Sequence, residues 1–411
     1  MMGITGPRAV LILAAAAAAL AAPIDAQTVG PATAAKPVPP VDLIAEFRIR
    51  DEFVDQANLP DDAEAFTARA RLGVDARITT NLRGLFEVEG VVDFNHRFNS
   101  TVNHRTQYPI VSDPQGLEIN RAQLTWSGRA AEGVLGRQRI VLGNGRFVGN
   151  AGWRQNEQTF DAVRFSASPL KSVTLTYIYI DRVRRTLGPE SADGRWNSDS
   201  HLLQADAKMP LGQLSGYAYL IDLSSAPAQS SATVGARLAG ARPIRPGLEA
   251  TYAAEYAHQQ DYGHAPRRFS LDYLALEGGL KGENWSVATG IERLGGDGRT
   301  GFLTPLASFH GFQGWSDAIT NTPPDGLLDL HLRATARWRG APVGDGLRFA
   351  AGTYRFTHPD GGRRYGREVD ASVATALTDH LGLELKAAFF DGADLALADR
   401  TKIWLTGEVT F

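Results

Sequence analysis

Residues 66–79, FTARARLGVDARIT, put Arg69, Arg71, Asp75 and Arg77 on one parity and Phe66, Ala68, Ala70, Leu72, Val74, Ala76 and Ile78 on the other. A guanidinium offers a planar fork of donors that fits a carboxylate, and an ammonium does not. Arginines at every second position of an extended chain therefore set a row of such forks along one face. Neighbouring segments repeat the device with both signs. Glu46, Arg48 and Arg50 alternate with Ala45, Phe47 and Ile49, and Glu87, Glu89 and Asp93 alternate with Phe86, Val88, Val92 and Phe94. Each arginine has two readings: it grips a passing anion, or it pairs with these acids and holds a wall together. Lysine occurs only at positions 36, 171, 208, 281, 386 and 402. A GC-rich genome explains many arginines, but not their parity.

The elements that position these residues are strands. From residue 41 onward a period of two dominates and a helical period is hard to find. Strands are expected near 41–53, 66–78, 82–94, 117–126, 133–140, 158–167, 172–183, 200–208, 213–223, 232–240, 248–258, 270–281, 284–293, 327–338, 347–357, 365–377, 381–390 and 400–411. Connections after odd strands tend to be long, and those after even strands are mostly tight. Alternating long loops and short turns are the pattern of outer-membrane barrels, with the long ones extracellular and the short ones periplasmic. A soluble β-sandwich would also alternate, but its strands average about five or six residues, and these run to about ten or more, the length a membrane strand needs. The expected fold class is all-β: a transmembrane antiparallel up-and-down barrel of about eighteen strands.

That fold decides which face is which. An arginine at the lipid midplane costs about 2–4 kcal/mol, so the charged parity faces the lumen and the Ala/Leu/Val/Phe parity faces lipid. Trp126, Tyr177, Tyr179, Tyr252, Tyr256, Trp285 and Trp404 lie near strand ends and suit interfacial aromatic girdles.

The N-terminus, with Arg8 before AVLILAAAAAALAA and IDA before Gln27, reads as a secretory signal over residues 1–26. A flexible Pro/Ala-rich segment follows over 27–40, and the barrel takes 41–411. No apolar run after residue 26 is long enough for a membrane helix. The net charge of −3 gives no reason to expect a nucleic-acid partner, and the absence of cysteine removes disulfides and thiol chemistry. Metalloprotease, P-loop and GxSxG signatures are absent. His96 and His104 share a long loop but read as solvated, as does the acidic stretch 391–399. No cofactor is expected. The expected partners are outer-membrane lipid, an anionic solute and, through the terminal aromatic Phe411, which resembles an outer-membrane sorting signal, the barrel-assembly machinery.

Two segments are more specific: GRQRIVLGNGRFVGNAGWRQNEQTFDAVRF at 136–165 and FLTPLASFHGFQGWSDAITNTPPDGLLDL at 302–330. With the strand layout, they resemble the alginate export family of outer-membrane barrels. The resemblance implies an eighteen-stranded barrel that passes an anionic polyuronate through an arginine-rich constriction. It implies that Arg137, Arg139, Arg146, Trp153, Arg154 and Asp161 lie on one strand–loop–strand unit, with Arg48, Arg69, Arg71 and Arg121 completing a positive lining. The functional expectation is passive diffusion of carboxylated saccharides. A general porin, or a closed-lumen structural or enzymatic barrel, is the alternative. The second segment either folds inward and narrows the pore or lies on the surface.

Overall fold

The computed structural model describes residues 40–393 and 397–411. The expected signal segment and residues 27–39 lie outside the described residues, as do 394–396 of the acidic stretch. Eighteen strands run in chain order: β1 (Val41–Gln56), β2 (Ala63–Arg77), β3 (Leu82–Asp93), β4 (Gly116–Ser127), β5 (Ala131–Gln138), β6 (Thr159–Leu170), β7 (Val173–Arg184), β8 (Arg195–Met209) and β9 (Gly212–Ile221) form the first half. The second half is β10 (Ser231–Arg245), β11 (Leu248–Gln260), β12 (Ser270–Gly282), β13 (Trp285–Leu294), β14 (Leu327–Trp338), β15 (Leu347–Thr357), β16 (Arg364–Ala376), β17 (Leu381–Gly392) and β18 (Arg400–Thr410). Each strand pairs antiparallel with its neighbours in sequence, and β1 pairs with β18 from Glu46↔Thr410 to Gln56↔Arg400, so the sheet closes. Every expected strand is present. The largest boundary errors are five residues each, at the start of β8, which begins at Arg195, and at the end of β10, which runs on to Arg245.

The burial pattern is that of a protein turned inside out. Arg50, Arg69 and Glu52 are at most 1% exposed, while Leu43 and Leu117 are each 75% exposed. In water this arrangement would leave apolar area exposed and bury charge, both unfavourable. Around a closed barrel in lipid it satisfies both faces, because all backbone groups pair within the wall. Trp126, Trp285 and Trp338 are exposed beside short turns. Tyr256 and the Phe66–Phe94 pair, with ring centroids 5.0 Å apart, lie towards the long-loop end. Trp404 does not join the girdles. It is fully buried in the lumen, edge-on to Trp153 with centroids 5.7 Å apart. Its parity, shared with Lys402 and Glu408, already turned it inward.

Two bulges re-aim charged residues. In β4 the register steps from Glu87↔Arg121 to Val88↔Ile119 and skips Asn120. The outward residues change there from Leu117 and Ile119 to Leu124 and Trp126, and Asn120 and Arg121 both turn to Glu87. In β7 the step from Asp161↔Arg182 to Ala162↔Ile180 skips Asp181 and sets Arg182 opposite Asp161.

Candidate functional site: a lumen narrowed by two loops

The first specific segment is an inward loop. After β5 the chain makes a narrow hairpin, with Leu142 bridging Val148, and then lies along a strip of the second long loop, with Val148 bridging Leu306. The contact is tight. Gly149 donates its N–H to the Leu306 carbonyl at 2.8 Å, and a Cβ on Gly149 would fall 2.1 Å from Ser308 Oγ. Gln158 Nε2 ties both loops, donating to the carbonyls of Gly149 and Leu306 at 2.7 and 3.0 Å. The second loop, 295–326, therefore folds inward.

The first loop docks on the ionic wall of β1–β3. Arg48 Nη1 donates to the carbonyls of Gly152, Trp153 and Arg154 at 3.2–3.3 Å, and Arg50 Nη1 donates to Trp153 O at 2.8 Å. Gln155 donates from its side chain to Thr67 at 2.9 Å and from its backbone to Asp113 at 2.8 Å. Glu157 takes Arg71 at 2.9 Å and Arg139 at 2.5 Å, while its N–H reaches Glu89 at 3.1 Å. These guanidiniums hold the Glu157 carboxyl well below the usual carboxylate range, although its burial acts the other way.

The tip of the second loop is seated by charge on β16–β18. Glu368 accepts from the Ser316 N–H and hydroxyl at 2.7 and 2.5 Å, and Asp370 accepts from the Trp315 N–H at 3.1 Å. Arg400 donates to the carbonyls of Ser316 and Asp317 at 3.2 and 3.1 Å. Gly314 lies so close that a Cβ would fall 2.3 Å from Glu368 Oε1, and its φ of +76° favours glycine in any case. Asp317 joins the loops through Arg154 at 2.8 Å. His310 stacks on Trp153 with centroids 4.1 Å apart and meets Lys386 Nζ at 2.7 Å. Burial and that ammonium push His310 down to about 3.

Arg69 and Arg71, foremost in the sequence, are buried and engaged by carboxylates. Arg69 binds Glu46 and Glu408, and Arg71 binds Glu46, Glu89 and Glu157. Arg48 is held by Glu408 at 2.7 Å and Arg121 by Glu87 at 2.6 Å. Arg146 is buried on Glu292 at 2.6 Å, and Arg154 lies between Asp317 and Glu52. Asp75 pairs with Arg83 at the short-turn end, where Arg77 is exposed and opposite Arg83 in register. Asp93 pairs with His96 at 2.7 Å. Among the described residues no group of three His, Asp or Glu side chains could hold a metal ion, and no helix is long and apolar enough to cross a membrane.

A different set keeps open faces. Arg139, Arg121 and Arg137 retain 35, 17 and 17% of their side-chain surface. Arg137 and Arg184 converge on Asp161, at 2.6 and 3.2 Å, and Arg182 lies between Asp181 at 3.8 Å and Asp161 at 3.9 Å. Glu118 lies in the field of Arg137 and Arg184 but accepts no hydrogen bond from them. The sequence reading missed Arg182 and Arg184. Both follow the bulge at Asp181, where simple alternation fails.

No protein-family model matches the chain, and no curated protein matches it. Solved structures do. Acinetobacter baumannii OccAB4 is 13% identical with a TM-score of 0.70, and Pseudomonas aeruginosa OpdL is 15% identical with a TM-score of 0.66. Pseudomonas aeruginosa OpdK, solved with vanillate, is 12% identical with a TM-score of 0.69. Each match covers 90% of this chain and 98% of the other. The fold is that of a bacterial outer-membrane barrel. The resemblance to the alginate export family is overturned, since the likeness runs to the Occ and Opd proteins. The two segments that suggested it have the composition that lumen-filling loops demand: glycine where loops touch, Trp and Phe for the packed interior, and Arg for buried ion pairs.

Proposed function

We propose that the protein is a passive outer-membrane channel for small solutes that bear a carboxylate. The observation that carries the reading is the guanidinium cluster at the long-loop end of β5–β7, where Arg137, Arg182 and Arg184 meet Asp161 and Asp181, beside Arg139 and Arg121, which keep 35 and 17% of their side-chain surface. Partly open guanidiniums at the long-loop mouth of the channel attract anions, and weak repeated sites let them leave again. Arg48, Arg50, Arg69, Arg71, Arg146 and Arg154 have a different role in this reading: they are occupied by protein groups and fix the loops. Two loops filling the lumen favour small molecules over a polymer chain. The structure of OpdK with vanillate, an aromatic carboxylate, supports the same solute class. Flux follows the gradient, inward or outward.

Liposome swelling tests the proposal. Small mono- and dicarboxylates should enter faster than neutral sugars or amines of equal size. Equal rates, or a preference for amines, would overturn it.

A further inference from the structure

The outer face of the barrel carries a second constellation that transport does not use. On the lipid-facing parity of β11 and β12, Ser270 Oγ lies 3.3 Å from His258 Nε2, and His258 Nδ1 lies 2.9 Å from Asp272 Oδ1. His258 and Asp272 are directly opposite in register, and Ser270 is two residues from Asp272 on the same face. The carboxylate accepts the Nδ1 proton and so fixes the tautomer whose Nε2 accepts from the serine hydroxyl. Tyr256 also donates to Asp272 Oδ1, at 2.7 Å, and pins the carboxylate. This is the serine–imidazole–carboxylate relay of acyl transfer, recognised by geometry and not by sequence order. We propose that Ser270, His258 and Asp272 form an esterase site for acyl lipids of the outer leaflet.

Its position fits such a substrate. Ser270 is the first residue of β12 and Gln260 the last of β11, so the site sits at the long-loop edge of the wall. Below it on the outer face come Leu274 and Leu276 of β12 and Val234 of β10, all exposed. Two residues of strand span about 7 Å, so the serine lies level with an ester bond whose chain descends over these leucines. Arg267 and Arg268 are exposed immediately before β12, placed for an anionic headgroup. Gln260 faces Ser270 across the ladder, exposed and without a side-chain hydrogen bond among the described residues, and its carboxamide is available to an oxyanion.

The chemistry balances with water as the only co-reactant. Ser270 Oγ attacks the ester carbonyl carbon as His258 Nε2 takes the hydroxyl proton. The ester C–O bond breaks, and His258 returns that proton to the leaving alcohol of the lysolipid. Water then attacks the Ser270 ester, passing a proton through His258 to Ser270 Oγ, and a fatty acid leaves.

The test uses the folded barrel in detergent. A fluorophosphonate probe should label Ser270, with labelling lost in His258→Ala and reduced in Asp272→Asn. Fatty acid release from phosphatidylglycerol micelles or from lipopolysaccharide should exceed that of Ser270→Ala by at least about 100-fold. Gln260→Ala should lower kcat with little change in KM. Heat-modifiable gel migration verifies the fold of every variant. Release from only one lipid identifies the source of the ester. An unlabelled Ser270 in a folded barrel, release from neither lipid, or release unchanged in Ser270→Ala overturns the proposal.

Discussion

The inner wall of β1–β5 and the inner wall of β7–β12 are built from the same alternating strands and have opposite chemistry. The first carries Arg48, Arg50, Arg69, Arg71, Glu87, Glu89 and Arg121. The second carries buried Ile178, Ile180, Leu202, Tyr217, Tyr219 and Tyr273, packed against Phe147, Val148, Phe302 and Leu306 from the inward loops. The tyrosine hydroxyls there are satisfied locally, as Tyr217 donates to Glu255 at 2.8 Å and Tyr219 to Gln204 at 2.7 Å. A barrel interior is therefore not uniformly wet. One side of this lumen is a hydrophobic core that holds the loops by area, and the other holds them by ion pairs. Guanidiniums keep water-facing surface at Arg139 on the ionic side and at Arg182 beside Asp161, 35 and 36% of the side chain.

Breaking the ionic side at its centre should have the largest effect. Arg71→Ala leaves Glu89 and Glu157 buried without their shared guanidinium, and removing one partner of a buried pair costs about 3–5 kcal/mol. The urea midpoint of the folded barrel should fall accordingly. An unchanged midpoint would mean that the wall network is not structural.

On the apolar side, Phe147→Ala removes a ring 5.1 Å from Tyr273 and 5.9 Å from Phe302. Truncating a buried phenylalanine costs about 3 kcal/mol or more, and the first loop should loosen, with larger and noisier single-channel currents. Quiet currents of unchanged size would separate the apolar packing from loop position.

The seam between the loops should respond to acid. His310 has its pKa in the seated loop lowered to about 3, below the usual 6.5, so the unseated loop binds more protons between those values. Seating is fully stable above about pH 6.5 and weakens as the pH falls towards 3. Current noise should rise over that window and stay flat in His310→Gln. A rise confined to alkaline pH would contradict the assignment.

The smallest effect on stability should come from the open side. Arg184 is partly exposed and shares Asp161, so Arg184→Ala should cost under about 1 kcal/mol in a melting experiment, while still lowering anion preference.

Much of the wall was legible because lipid makes parity costly to violate. Arg69 and Arg71 could face only inward, and strand lengths followed from membrane thickness. The loops were not legible, because residues 139–158 and 295–326 carry no period, and whether they fold inward depends on partners such as Leu306 and Glu368 brought near only by closure. Arg182 was hidden by one skipped residue at Asp181, and Trp404 was misplaced by weighing its type above its parity. The relay of Ser270, His258 and Asp272 needed the β11–β12 register, which the hairpin pattern around residues 258–272 could have supplied.

The central claim is that the guanidinium cluster around Asp161 sets solute preference. Its most direct test is the zero-current potential across a potassium chloride gradient, for the native protein and for a variant with Arg137, Arg182 and Arg184 all replaced by alanine. The native channel should prefer chloride, and the variant should lose most of that preference while still conducting. A native channel that prefers potassium, or a variant with an unchanged potential, would contradict the account.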